Sequence, residues 1–242
     1  MSISDDTSTD RDQANLPADP TPRLFNVTEC YKMAAAGILR ADESVELLEG
    51  RILEKYPAAL RLFTADEYEN LTRAGILGPD EHVELVEGVI LTMSPKSPQH
   101  SNAVRRVDSC FRKRIGERAL IMTQDTVRLS KHVVVEPDFA LLVPPLEKYE
   151  SRHPAAQDIL LILEVAGSSL NFDRHRKARF YAEAGIVQYL ILNTGARVLE
   201  EYRDPEPEGY RSNHVYDDEG SFSLVTFPEI ALLINELLPL HT

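Results

Sequence analysis

EPDFALLV (residues 136–143) and ILLILEVAGSSLNFDRHRKARFYAEAGIVQYLILN (residues 159–193) decide the fold of this 242-residue chain. Short apolar runs in these two stretches predict buried strands at residues 139–143, 159–163 and 188–192. The charged segment between the second and third runs predicts a helix that ends at Gly185. Further hairpin-forming strands follow this single helical crossover. The pattern therefore predicts an α/β protein with a mixed sheet.

Two acids mark the ends of these core strands. Asp138 stands at the start of the first run and Glu164 at the end of the second. If the two strands pair as neighbours, the carboxylates come within a few ångströms and repel each other unless a proton or a cation lies between them. Oxygen ligands favour Mg²⁺ or Mn²⁺ over Zn²⁺. The alternative is that each acid only caps its strand and faces solvent.

Three more residues are candidates for the same site. Lys177 lies four residues after Asp173, so it is either half of a helix ion pair or a cation that reaches the acids. Glu84 is a third candidate acid, although Glu46 has the same local sequence. His100 begins a predicted helix, where it either caps the helix at the surface or acts as a base or phosphate contact.

Charge and cysteine content narrow the function classes. The formal net charge of −13 argues against a broad, non-specific grip on nucleic acid. Two cysteines form no disulfide framework, no apolar run is long enough to span a bilayer, and the first twenty residues lack a secretory signal. The sequence thus predicts a cytoplasmic protein without a membrane partner. One basic cluster is interpreted as a solvated helix face or a phosphate track: Arg105, Arg106, Arg112, Lys113, Arg114 and Arg118.

The N-terminal part contains a duplication. Residues 24–53 align without a gap to residues 62–91, and each copy predicts a capped helix, a glycine stop and a hairpin. Thr28 and Thr64 are the predicted capping residues. We therefore expect a disordered acidic tail at residues 1–21, a duplicated helix–hairpin unit at residues 22–60 and a main domain at residues 61–242.

The remaining pattern predicts three further elements. A helix is expected at residues 98–118 and a strand at residues 119–129, with a break at Gln124 and Asp125. An apolar helix is expected at residues 229–238. The chain has no glycine-rich phosphate loop, HExxH, zinc-spaced cysteine pair or GxSxG.

An ordered set of motifs in residues 62–215 resembles a known family. These motifs are AGIL, VELVEG followed by MSP and a histidine, the PD strand, LILEV with two serines, and D-x-x-x-K followed by YAEAGI. They look like those of the Uma-two family of endonucleases, a branch of the PD-(D/E)XK, restriction-endonuclease-like superfamily. The resemblance implies a mixed β-sheet flanked by helices, a Mg²⁺ or Mn²⁺ cofactor, a DNA substrate and a homodimer.

The resemblance also implies roles for individual residues. Asp138 and Glu164 would be metal ligands, Glu84 an additional acid, and Lys177 the catalytic lysine. Ala166 stands where the superfamily pattern has its lysine, so Lys177 on the following helix would take that place. Two other hypotheses stay open: an inactive nuclease-fold protein that binds or regulates, and a metal-dependent hydrolase of small phosphoesters.

Overall fold

The computed structural model describes residues 20–239, and most of the predicted acidic tail, residues 1–19, lies outside them. Its first half contains helices α1 (Val27–Ala35), α2 (Ala65–Arg73) and α3 (Pro98–Ile115). The strands of this half are β1 (Thr21–Pro22), β2 (Val45–Leu48), β3 (Arg51–Lys55), β4 (Ala58–Leu60), β5 (Val83–Val86), β6 (Val89–Thr92), β7 (Leu120–Met122), β8 (Val127–Ser130) and β9 (Val133–Val135).

The second half follows the predicted order of strand, helix and hairpins. Its helical segments are α4 (Leu170–Phe172), a π-helical turn (Asp173–Lys177), α5 (Ala178–Glu183) and α6 (Ile234–Leu237). Two 3₁₀ turns lie at Leu146–Tyr149 and Ala156–Asp158. The strands are β10 (Phe139–Leu142), β11 (Ile159–Ala166), β12 (Gln188–Asn193), β13 (Val198–Glu206), β14 (Gly209–Tyr216), β15 (Ser221–Ser223) and β16 (Ala231–Leu233).

Two main sheets organise the described residues. The larger has the order β14-β13-β12-β11-β10-β7, and its one parallel pair, β11 with β12, is joined by the predicted helical crossover. The other is antiparallel, in the order β1-β6-β5-β9-β8. The α/β prediction with a mixed sheet and flanking helices is confirmed.

Burial of both faces of the larger sheet explains why its central strand β11 is apolar along nearly its whole length. Along β11, Leu161, Leu163 and Val165 pack in the core that contains α3. Ile162 and Ala166 belong to a second core with α5 and the antiparallel sheet. Because side chains alternate along a strand, Glu164 points to this second side.

Several local predictions were wrong. The final helix predicted at residues 229–238 is strand β16 followed by the short helix α6. The strand predicted at residues 119–129 is interrupted at the predicted break, where Gln124 has a positive φ of 50°, but its two parts, β7 and β8, belong to different sheets. Asn26, not Thr28, caps α1 and forms a capping box with Glu29. Strand β11 also continues past Glu164 to Ala166.

Candidate active site

All five residues singled out from the sequence line one cavity. It lies between the ends of strands of the antiparallel sheet, the start of α3 and the end of β11, and has a volume of about 160 Å³. Loop 93–97 and the serine-containing turn after β11 complete its walls. The five residues are Glu84, His100, Asp138, Glu164 and Lys177.

Antiparallel pairing of β10 with β11 brings Asp138 and Glu164 together, as expected. Phe139 pairs with Leu163, so the residue before β10 lies opposite Glu164. The Asp138 amide donates to Glu164 Oε2 at 3.3 Å, and the Val165 amide donates to Asp138 Oδ2 at 2.9 Å. Both carboxylates are buried. These backbone contacts fix the acids with respect to each other.

Lys177 reaches Glu164 from the π-helical turn. Its ammonium group donates to Glu164 Oε1 at 2.8 Å and lies 3.7 Å from Asp173 Oδ1. The Tyr181 hydroxyl donates to the same oxygen of Glu164 at 2.7 Å. The predicted Asp173–Lys177 ion pair therefore exists, but Lys177 makes its shorter contact with Glu164.

His100 is oriented by Asp138. Ser97 caps α3 by accepting a hydrogen bond from the His100 amide at 3.2 Å, which places the imidazole at the cavity wall. Its Nε2 lies 2.8 Å from Asp138 Oδ1, and Gln124 Nε2 donates to the same oxygen at 3.2 Å. His100 thus lies at a helix start, as predicted, with its side chain directed inward.

Glu84, and not its duplicate Glu46, belongs to the cavity. Glu84 is buried on β5, where its Oε1 accepts a hydrogen bond from the Glu136 amide at 3.0 Å. Its Oε2 is buried and accepts no hydrogen bond from any residue between 20 and 239. Glu46 lies exposed on β2. The structure thus separates two glutamates that local sequence could not.

The two central acids have opposite pKa shifts. Burial raises the pKa of Glu164 to about 8; the Lys177 charge opposes this shift, and the charges of Asp138, Asp173 and Glu84 add to it. Burial alone would raise the pKa of Asp138 as well, but its hydrogen bond with His100 and the Lys177 charge hold that pKa below its usual value. Two neighbouring carboxylates with divergent pKa values are typical of catalytic sites.

The Lys177 ammonium remains charged in this environment. Burial alone would lower its pKa, yet the charges of Glu164, Glu84 and Asp173 raise it well above the ordinary value. A buried, charged ammonium therefore lies beside the acids.

Comparisons with known proteins bear on the family and the fold of this chain. A family model, Uma2, described as "Putative restriction endonuclease", matches residues 65–235, which is well over half of the chain. The chain belongs to the Uma2 family. No curated protein matches it. Family and fold are those of restriction-endonuclease-like nucleases, which generally use divalent metals.

A solved structure shares the fold of this Uma2 chain. It is described as a "putative nuclease belonging to DUF820" from Anabaena variabilis ATCC 29413. The two chains are 16% identical and superpose with a TM-score of 0.58, over 72% of this chain and 97% of the other. At this level of identity the likeness shows the fold alone.

The donor set at the Uma2 site suits a hard divalent cation. It consists of carboxylate oxygens, and Glu84 Oε2 is buried without a hydrogen-bond partner among the described residues. Within residues 20–239, however, no three His, Cys, Asp or Glu side chains already stand as a complete ligand set. In this arrangement Lys177 and Tyr181 occupy Glu164 Oε1. The chemistry of the donors fits such an ion.

Ala166 and Lys177 approach the acids from the same side of the sheet. Ala166 is buried on the same side of β11 as Glu164, two residues further along. Lys177 enters the cavity from the π-helical turn and reaches Glu164 there.

Sequence reasoning missed Gln124 and Ser169 as parts of the site. Gln124 contacts Asp138, and Ser169 donates to Asp173 Oδ2 at 2.6 Å. The break predicted near Gln124 was a signal that this residue leaves the strand, and the pair of serines after β11 was noted only as part of a motif.

The basic cluster on α3 is partly neutralised. Arg112 pairs with Asp108, Arg114 with Glu236 and Arg118 with Glu229. Pairing with acids weakens the attraction of these side chains for phosphate, which favours the interpretation as a solvated helix face.

In the part of the chain from residue 20 to residue 239, no helix is both long and apolar enough to cross a membrane.

Proposed function

We propose that this chain is a Mg²⁺- or Mn²⁺-dependent endonuclease that hydrolyses phosphodiester bonds in DNA. The observation that carries this proposal is the meeting of three acids, a histidine and a buried lysine in one cavity, although they come from separate elements. Membership of the Uma2 family supports the same reaction class.

Asp138, Glu164 and Glu84 would hold the metal ion. A divalent ion at this place supplies Lewis-acid polarisation of the scissile phosphate and lowers the pKa of a bound water. The unpartnered Glu84 Oε2 supports this assignment, since a buried carboxylate oxygen without a donor is costly.

Lys177 and His100 would act on the substrate. The Lys177 ammonium, held 2.8 Å from Glu164, stabilises negative charge that develops on the phosphate oxygens. His100, oriented by its contact with Asp138, takes a proton from the attacking water or contacts a phosphate oxygen. Both roles need only side chains that already line the cavity.

Assembly and location belong to the same proposal. Cutting both strands of a duplex needs two sites, so we infer that the active form is a homodimer. The free cysteines Cys30 and Cys110 support a reducing, cytoplasmic location.

A second candidate is a nuclease-fold protein that binds or regulates without cleaving. Two observations favour it: alanine stands at position 166, and the net charge of −13 opposes contact with a polyanion. Both functions predict the same fold, so only chemistry separates them.

The test is cleavage of supercoiled plasmid DNA by the full-length chain with Mg²⁺ or Mn²⁺. The expected result is nicking or linearisation that falls at least about 100-fold in Asp138→Ala, in line with the loss of electrostatic transition-state stabilisation. Calorimetry of Mn²⁺ binding to both proteins provides a second measurement.

Glu84 and Glu46 offer a matched control within one chain. Glu84→Ala should lower cleavage and Mn²⁺ affinity, whereas Glu46→Ala, on the exposed duplicate strand, should change neither. Mn²⁺ binding without cleavage of any DNA would support the binding protein. Activity on nucleotides but not on polymer would indicate a small-phosphoester hydrolase, and cleavage equal in Asp138→Ala would contradict the proposed site.

A further inference from the structure

The two copies of the sequence repeat fold into two similar units that pack against each other. We define unit 1 as residues 21–55 and unit 2 as residues 59–93, which are offset by 38 residues. Unit 1 contains β1, α1, β2 and β3. Unit 2 contains the equivalent part of β4 with α2, β5 and β6. Their buried side chains form one shared core.

The first strand of each unit pairs with the last strand of the other unit. Strand β1 of unit 1 pairs with β6 of unit 2, with Pro22 opposite Leu91. Strand β4 of unit 2 pairs with β3 of unit 1, with Leu60 opposite Leu53. These two registers are equivalent under the 38-residue offset, so the exchange is reciprocal.

The side chain of Arg23, in unit 1, contacts residues of unit 2. The Arg23 amide donates to the Ile90 carbonyl at 2.8 Å. Its guanidinium binds Glu29 of its own unit at 2.7 Å and reaches across to Glu81 at 2.8 Å and to the Ile76 carbonyl at 3.2 Å.

The equivalent arginine crosses in the opposite direction. The Arg61 amide donates to the Ile52 carbonyl at 2.9 Å. Its guanidinium binds Glu67 of its own unit at 2.6 Å and reaches across to Glu43 at 3.2 Å and to the Ile38 carbonyl at 3.1 Å. Each partner of Arg61 lies 38 residues from a partner of Arg23.

Two phenylalanines meet between the units. The Arg23 guanidinium lies 4.8 Å from the centre of the Phe25 ring, and the Arg61 guanidinium lies 4.9 Å from that of Phe63. The two rings contact each other, with centroids 5.7 Å apart. Equivalent residues that touch each other mark a local two-fold axis.

Reciprocal contacts of this kind define the interface of a two-fold symmetric dimer, in which residue i of one subunit contacts residue j of the other and the reverse. Here both halves belong to one chain. The family match begins at residue 65, so it leaves out unit 1 together with β4 and Arg61. Unit 2 alone carries both sides of the contact, with β4 and Arg61 on one side and β6 and Glu81 on the other.

We propose that unit 1 is a built-in partner: it occupies the face of unit 2 that would otherwise bind unit 2 of a second chain. A chain with a single copy would close this face by dimerising, whereas the duplication closes it within one molecule. A homodimer of this protein must therefore use another face.

The internal partner also contributes to the active-site cavity. Pro20, directly before β1, lines that cavity. The equivalent position is Ala58, the first residue of β4. In a single-copy dimer, the strand of the partner chain would take this place at the rim.

The test opens the internal contact and measures mass by light scattering across a concentration series. The double variant Arg23→Glu/Glu43→Arg sets like charges at both crossings, facing Glu81 and Arg61. Both changes lie in unit 1, so unit 2 stays native and free to bind another unit 2. The expected result is a mass at least twice that of the wild type at micromolar concentration, because any homodimer through another face adds to the new contact.

Adding Arg61→Gln to this double variant provides the control. It removes both crossing arginines from the new contact between two chains, so the mass should return to that of the wild type. A milder variant, Arg23→Gln, removes one crossing without reversing charge and should reach the doubled mass only at the highest concentrations. The proposal is overturned if the double variant folds and keeps the wild-type mass at every concentration. If the double variant does not fold, the same result with a folded Arg23→Gln overturns it.

Discussion

At the scale of single residues, the position of one lysine decides the chemistry proposed for this chain. Lys177 lies 13 residues after Glu164 in the sequence and on a different element, yet its ammonium group lies 2.8 Å from the Glu164 carboxylate. Ala166 shares the same side of β11 with Glu164. Positions 166 and 177 are therefore two routes by which a lysine can reach the same acids.

We expect Lys177→Met to reduce plasmid cleavage by about 10²–10³-fold, because it removes a charge that stabilises the transition state. Loss of one partner from a buried ion pair costs about 3–5 kcal/mol when the other stays charged. Glu164 can instead take up a proton, since burial raises its pKa to about 8. The variant should therefore fold, as circular dichroism will check.

A variant that moves the lysine from position 177 to position 166 provides the matched control. Ala166→Lys combined with Lys177→Met should recover part of the lost cleavage, because the new lysine leaves β11 on the side of Glu164. Full activity of Lys177→Met alone would contradict the role proposed for this residue.

At the scale of elements, the π-helical turn Asp173–Lys177 presents two charged residues to the interior. A π-turn places one extra residue in a helix and is frequent at functional sites. Asp173 and Lys177 are both buried, while the three residues between them are exposed. The Tyr189 hydroxyl donates to the Asp173 carbonyl at 3.1 Å, which stabilises the irregular turn.

Deletion of His175 should convert this turn to regular α-helix, in which Lys177 follows Asp173 by three residues and changes its position relative to Glu164. We expect a folded protein whose cleavage is as low as that of Lys177→Met. His175→Ala keeps the chain length and should cleave like the wild type. If the deletion variant is fully active, the geometry of the turn is irrelevant to catalysis.

The 3₁₀ turn before β11 contains Asp158, a carboxyl group whose pKa is lowered. A hydrogen bond from Arg152 outweighs burial and, with the Ala155 amide and Lys148, lowers the pKa of Asp158 to about 2. A carboxyl with a lowered folded-state pKa stabilises the protein above its unfolded-state value, near 4, and this stability is lost as pH falls towards 2.

We therefore expect the free energy of unfolding of the wild type to drop between pH 4 and pH 2. Asp158→Asn should be less stable at neutral pH and show a smaller drop over this range. Chemical denaturation at several pH values measures both. An equal pH dependence of the two proteins would show that Asp158 makes no such contribution.

At the scale of the whole molecule, charge sets the conditions for substrate contact. The net charge of −13 repels DNA, and two arginines of the basic cluster, Arg114 and Arg118, are paired with acids. Divalent cations bound among the carboxylates would reverse the local sign. Contact with DNA should thus depend on metal more than on lysine and arginine.

Affinity for a DNA duplex should accordingly be much higher in Mg²⁺ than in EDTA when measured by fluorescence anisotropy with the slow Lys177→Met variant. Adding Asp138→Ala to that variant should abolish the difference. The salt dependence should be shallow, because few phosphates are neutralised by basic side chains. Equal affinity in EDTA would contradict metal-dependent contact.

The sequence alone determined the secondary structure of the core strands, and it made the meeting of two acids depend on whether their strands pair as neighbours. Apolar runs of strand length, glycine helix stops and the repeat are local patterns, so they predicted β10, β11, β12 and both duplicated units. Asp138 and Glu164 flank neighbouring strands, and antiparallel pairing brings such ends together. Local patterns failed at residues 229–238, where a short apolar run suits a helix or a strand equally well.

Only the tertiary structure decided which of two residues with the same local sequence belongs to the site. It also decided how the two copies of the repeat pack together. Glu84 and Glu46 have the same local sequence, yet only Glu84 lies on a strand that the antiparallel sheet carries to the cavity. The reciprocal exchange of β1 and β4 is equally invisible to periodicity. Both depend on pairing between segments distant in the chain, and the burial of whole faces fixes that pairing, whereas the preference of any single stretch does not.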